Sequence, residues 1–172
     1  VLAAVHPATS GEPLFGATRQ AAGRPNPCPE VRMSELLHRV KVFVYRVIET
    51  RPTYLLVRGS LGLESFWTPL HGPIGFGEKL ETAMRRSVLN DLGLARSDET
   101  VDMKLPTHWV LGDEEIIEWN YGFRAPLEVD RFELDPRWAE FRWSDFETAY
   151  PSPELAKDPA AIMRLHTLLS AA

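Results

Sequence analysis

The chain has 172 residues, enough for one globular domain with a little to spare, and its 44% hydrophobic and 25% charged residues are the balance of an ordinary folded protein. Its net charge of −5 disfavours binding to a nucleic-acid polymer but leaves room for a nucleotide held by a local basic pocket or a bound cation. No apolar run reaches the roughly 18 to 20 residues that span a bilayer, so no membrane partner is expected, and the single cysteine, Cys28, excludes an internal disulfide and a Cys/His zinc cluster and suits a reducing, cytoplasmic setting.

Residues 1–32 carry Pro7, Pro13, Pro25, Pro27 and Pro29 with Gly11, Gly16 and Gly23, and show neither strand nor helix periodicity. They are expected to form a flexible Pro/Gly-rich extension ahead of a folded domain over 33–172. Two accounts of the extension stay open: a genuine flexible tail, or sequence upstream of a natural start at Met33. From Arg39 the pattern becomes regular. Val40, Val42 and Val44 alternate with Lys41, Phe43 and Tyr45, which predicts a strand apolar on both faces. Thr53 to Arg58 predicts a second strand, antiparallel to the first. A loop with Gly59, Gly62 and Phe66-Trp67 follows. Leu80, Ala83, Met84, Val88 and Leu92 recur at spacings of three and four, so residues 79–92 are predicted as a helix with one buried face, ended by Gly93. Further strands are expected at 104–111, 116–125 and 140–143. A closing helix over 159–169 turns Ile162, Leu165, Leu168 and Leu169 inward. Strands, a helix, more strands and a last helix make an α+β domain without repeats.

The loop before the central helix and the helix itself carry the chemical signal. Gly72 is followed by Glu78, Arg86, Val88, Gly93 and Leu94 at spacings that resemble the Nudix box, a glycine loop, a helix and a closing glycine. Phe66-Trp67, five residues before Gly72, is also usual in that family. Glu118-Trp-Asn-Tyr-Gly-Phe-Arg-Ala-Pro126 is similar to the strand after a metal-binding glutamate in the branch acting on dATP and dihydroneopterin triphosphate, and residues 138–146 are similar to a late strand of these proteins. The resemblance implies a Nudix-type α/β/α sandwich with a mixed sheet and a central loop-helix-loop motif. It implies a pyrophosphohydrolase of a nucleoside diphosphate linked to another moiety, dependent on Mg²⁺ or Mn²⁺, with a nucleotide-type small molecule as ligand. Many members dimerise, so a homodimer is compatible with it.

The departures concern the metal. The family's helix carries three glutamates at positions that correspond here to Ser87, Asn90 and Asp91. Their i, i+3, i+4 spacing keeps one helix face, but the charge on it falls from three carboxylates to one. Serine and asparagine oxygens hold a hard dication far less strongly and cannot act as a base near neutral pH. The resemblance assigns catalytic roles to Glu78, Arg86 and Asp91, metal ligation to Asp91, Glu78 and Glu118, and phosphate cradling to the backbone at Gly72, Gly75 and Gly77. Blander readings stand beside these: a plain ion pair for Glu78 and Arg86, a solvated helix end for Asp91, and an exposed acid among Glu114, Glu115 and Glu118 for Glu118. His71 is either a phosphate donor or an ordinary loop residue, and His108-Trp109 either stacks on a base or is a core or edge-strand pair. Trp67, Trp119 and Tyr121 would make either a nucleobase clamp or ordinary core. Two functions follow: a hydrolase with an impaired metal site, or a catalytically inactive Nudix domain that binds a nucleotide, metabolite or protein partner.

Overall fold

A computed structural model of the chain describes residues 35–60, 66–129, 131–150 and 159–171. These lie within one unit, Met33–Ala172. The expectation of a flexible extension over 1–32 falls outside the described residues. The elements run β1 (Glu35–Ile48), β2 (Arg51–Gly59), β3 (Trp67–Thr68), β4 (Leu70–Pro73), α1 (Leu80–Leu92), β5 (Glu99–Leu111), β6 (Glu114–Arg124), β7 (Trp138–Asp145), α2 (Phe146–Ala149) and α3 (Pro159–Ser170).

All seven strands belong to one mixed sheet. Its main order is β3-β2-β1-β6-β5, with β4 also paired to β1 and β7 to β2. The first two strands form the predicted antiparallel pair, with Tyr45 opposite Tyr54. Strands β1 and β6 run parallel over a long register, with Val40 beside Trp119 and Lys41 beside Asn120. The short β3, β4 and α2 were not expected from the sequence, because two to four residues are too few to show a period.

Helices cover both faces of the sheet. Ala83, Met84, Val88 and Leu92 of α1 pack with Val40, Val42 and Val44 of β1 and with Tyr121 and Phe123 of β6. Ala161, Ile162 and Leu165 of α3 pack on the other face with Phe43, Tyr45, Tyr54 and Leu56. The alternation of β1 thus feeds two cores, and the molecule is an α/β/α sandwich. The helix α1 ends at Gly93, whose φ of 70° is the left-handed conformation a glycine adopts without strain and whose N–H donates to the Leu89 carbonyl. Each fully buried aliphatic side chain in these layers contributes roughly 1.5–3 kcal/mol of burial. None of the described helices is long and apolar enough to cross a membrane.

Leu165 is fully buried, and its Cδ1 lies so close to Gly122 that a Cβ there would sit 2.8 Å away. Truncation at this site opens a cavity between α3 and the sheet. Leu165→Ala is expected to cost about 2–5 kcal/mol, read as a lower urea midpoint at unchanged slope.

Candidate functional site

The loop after β4 is fixed by one carboxylate. Glu78 Oε1 accepts from Arg86 Nε at 2.9 Å, and its Oε2 accepts from Arg86 Nη2 and from the Gly75 amide, each at 2.8 Å. Arg86 Nη2 also donates to the Pro73 carbonyl at 2.7 Å. Loop and helix are therefore clamped by a bidentate pair, and the Gly75 amide is engaged inside the loop. The bonds from Arg86 and then from Gly75 hold the Glu78 carboxyl down to about 2, from an ordinary 4.5. Gly77, with φ of 69°, takes the turn into the helix that other residues adopt under strain. Gly72 lies buried in β4, where a Cβ would stand 2.1 Å from Ser87 Oγ, so glycine lets the strand approach the helix closely.

Asp91 is buried, not solvated, and it already has a cation. Arg137 donates from Nε to Asp91 Oδ1 at 3.1 Å and from Nη2 to Oδ2 at 2.6 Å. The same Nη2 reaches the His71 carbonyl at 2.8 Å, and the guanidinium lies 4.5 Å from the centre of the Trp138 ring. One arginine thereby joins α1, β4 and the start of β7. Burial pushes the Asp91 carboxyl up from its ordinary value against the opposing pull of Arg137. Of the other two box positions on this helix, Ser87 is buried against Gly72 and Asn90 is exposed.

Glu118 is also buried rather than exposed, and it lies on the opposite face of the sheet. Val40, Val42, Trp119, Tyr121 and Phe123 pack with the core under α1. Lys41 and Asn120 are neighbours in the parallel register and alternate with those residues, and Glu118 shares their side. Gly122, on that same side, meets Leu165 of α3. Glu118 and Lys41 form an ion pair there with side chains only 3% and 7% exposed. Glu118 is therefore held apart from α1, and Glu78, Asp91 and Glu118 each stand beside a basic residue of the chain itself. Among the described residues no group of three or more His, Cys, Asp or Glu side chains is placed to hold a metal ion.

The aromatic candidates separate in the same way. Trp67 packs toward the α3 side, with the Arg58 and Arg142 guanidiniums 5.4 Å and 4.3 Å from its ring. Trp119 and Tyr121 face the α1 side, so the three do not form one clamp. His71 makes an edge-on contact with Trp138 at 5.7 Å, and His108 lies 3.5 Å from Glu115 on the β5–β6 hairpin. Trp119 instead shares a cleft of about 320 Å³ with His38, Ile74, Gly75, Gly77, Glu78 and Leu80. Beyond Trp119 and Leu80 lies a second cleft of about 370 Å³, walled by Asp102, Lys104, Pro106 and Tyr121. The second one opens where β5 bulges away from β6 between Asp102 and Pro106. Lys104 takes a φ of 49° in the bulge, where its amide donates to Asp102 Oδ1 at 2.8 Å and Asn120 Nδ2 donates to the Leu105 carbonyl at 2.6 Å.

Sequence reasoning missed Arg137, Lys41, His38 and Asp102. Lys41 did carry a signal, being the one charged residue within an otherwise apolar run of β1. Arg137 carried none, because its partner lies 46 positions away.

Glu78 gives a pH test. Its depressed value adds stability that is complete above pH 4.5 and lost as pH falls toward 2. Arg86→Met is expected to lower the melting temperature at pH 7 and to converge on the wild type between pH 4.5 and 2. A difference in melting temperature that does not change with pH would contradict this assignment.

Neither a protein-family model nor a curated protein matches the sequence. Solved structures do. An Ap4A hydrolase of C. elegans, in a binary complex, is 16% identical with a TM-score of 0.64, over 79% of this chain and 99% of that one. The E. coli dihydroneopterin triphosphate pyrophosphohydrolase is 15% identical with a TM-score of 0.65, over 76% and 95%. The NUDIX domain of Shewanella oneidensis NrtR, complexed with ADP ribose, is 14% identical with a TM-score of 0.56, over 85% and 92%. At these identities the likeness is one of architecture, and with the loop, helix and closing glycine at their expected places the chain has the fold of the Nudix hydrolases.

Proposed function

We propose that this protein is a Nudix-fold domain that binds a nucleotide-type small molecule without metal-dependent hydrolysis. The observation that carries the reading is the internal neutralisation of the acids. Glu78 is matched by Arg86, Asp91 by Arg137 and Glu118 by Lys41. A dication is drawn to a site by uncompensated carboxylates converging at roughly 2.0–2.6 Å. Here each carboxylate has spent its charge on a side chain held by bidentate or buried contact. To recruit a metal, Asp91 would have to release a guanidinium from a largely buried site. The cation would then compete with an attraction strengthened by low local dielectric. Mg²⁺ and Mn²⁺ therefore do not fit this donor set.

Without a metal the box residues also offer no base for water. Ser87 and Asn90 do not ionise near neutral pH, and the Glu78 carboxylate, held near 2, is a poor proton acceptor. What the fold keeps is two neighbouring clefts, one at the glycine loop and one at the β5 bulge, with Trp119 lining both. The ADP-ribose complex of the NrtR domain gives a precedent for ligand binding by this architecture.

The decisive measurement is hydrolysis of a panel of ADP-ribose, NADH, dinucleoside polyphosphates, dNTPs and dihydroneopterin triphosphate, with Mg²⁺ or Mn²⁺, beside an Asp91→Ala control. The expected result is no turnover above that control. Metal-dependent turnover that Asp91→Ala abolishes would instead establish a hydrolase with a trimmed metal site.

A further inference from the structure

His38 and Trp119 are joined in an unusual way. Trp119 Nε1 donates to His38 Nδ1 at 3.3 Å, and the two ring planes differ by only 16° with centroids 6.4 Å apart. Both the indole N–H and the imidazole lone pair lie in the planes of their rings. A hydrogen bond between rings so nearly parallel therefore sets them edge to edge rather than one above the other. The result is a single flat π surface about two rings wide, built from neighbouring parallel strands.

That surface forms a wall of the cleft bounded by Ile74, Leu80 and the Gly75–Gly77 turn. Trp119 and Leu80 also line the neighbouring cleft at the β5 bulge, where Asp102 stands. Asp102 accepts one bond from the Lys104 amide, which leaves most of its carboxylate lone pairs for another donor. Nothing in the packing of the sheet requires a histidine at position 38, which is exposed. The indole N–H could equally be satisfied by water.

We infer that the coplanar His38–Trp119 pair is a stacking subsite for a planar bicyclic heteroaromatic ring that carries N–H donors, with Asp102 accepting from the ring's polar edge. The inference rests on the reading of this cleft as a ligand-binding one and names the part of the ligand that it recognises. A flat surface wider than one indole favours a fused ring over a single ring. The carboxylate favours a ring edge with N–H groups over one that presents only acceptors.

The test is isothermal titration in EDTA with three probes: guanosine, uridine and ribose 5-phosphate. Guanosine is expected to bind more tightly than uridine, and ribose 5-phosphate not to bind. Base–aromatic stacking sets the expected loss for Trp119→Leu at about fivefold or more, with Trp119→Phe retaining most of the affinity. Two further variants keep the test informative should Trp119→Leu fail to fold. His38→Ala should narrow the preference for guanosine over uridine, and Asp102→Asn should weaken guanosine more than uridine. Guanosine affinity unchanged in the folded Trp119 and His38 variants overturns the subsite but leaves the binding-domain reading intact. Equal binding of ribose 5-phosphate, or no binding of guanosine at millimolar concentration, also overturns the subsite. Metal-dependent hydrolysis in the nucleotide panel, together with Trp119-dependent guanosine binding, overturns the non-hydrolytic reading and leaves the subsite standing.

Discussion

The parallel pairing of β1 with β6, in register from Glu35 beside Glu114 to Tyr45 beside Arg124, is the constraint on which the other arrangements depend. Side chains alternate along both strands, so the register deals each residue to one face or the other. Val40, Val42, Trp119 and Tyr121 go to α1, while Lys41, Asn120 and Glu118 go the other way. A slip of one residue would bring Glu118 under α1 and turn Trp119 toward α3. The register therefore decides at once that Glu118 is turned away from α1 and that His38 and Trp119 share a surface.

Much of this architecture is local and was legible. Helix α1 was readable because Leu80, Ala83, Met84, Val88 and Leu92 repeat at helical spacing and a glycine ends the run. The first strands were readable because Val40 to Tyr45 alternate, and α3 begins at the predicted Pro159. The loop clamp was legible too, since Glu78 in the loop and Arg86 on α1 lie only eight positions apart and form an ion pair. What the sequence concealed was long-range partnership. Asp91 meets Arg137 across 46 positions, and Glu118 meets Lys41 only because two distant strands lie side by side. Charge counting along one helix could not show that Asp91 was already paired.

The three ion pairs differ in kind. The pair of Arg86 with Glu78 is partly exposed and organises a loop, where its geometry matters more than its energy. The pair of Lys41 with Glu118 is enclosed, so each charge is tolerable mainly because the other is present. The pair of Arg137 with Asp91 is intermediate, with the acid buried and the guanidinium about one-third exposed. It ties three elements through one side chain, a tether made inside the protein.

That tether shapes the mutational paths open to the chain. Adding a carboxylate on α1 while Arg137 stays in place adds repulsion beside Asp91 without vacating it. Removing Arg137 first leaves a buried acid uncompensated, which typically costs several kcal/mol. Neither single step is favourable, so Asp91 keeps its partner unless several positions change together. The arginine thus works as a latch: substitutions made one at a time around Asp91 lead into a valley of destabilised intermediates.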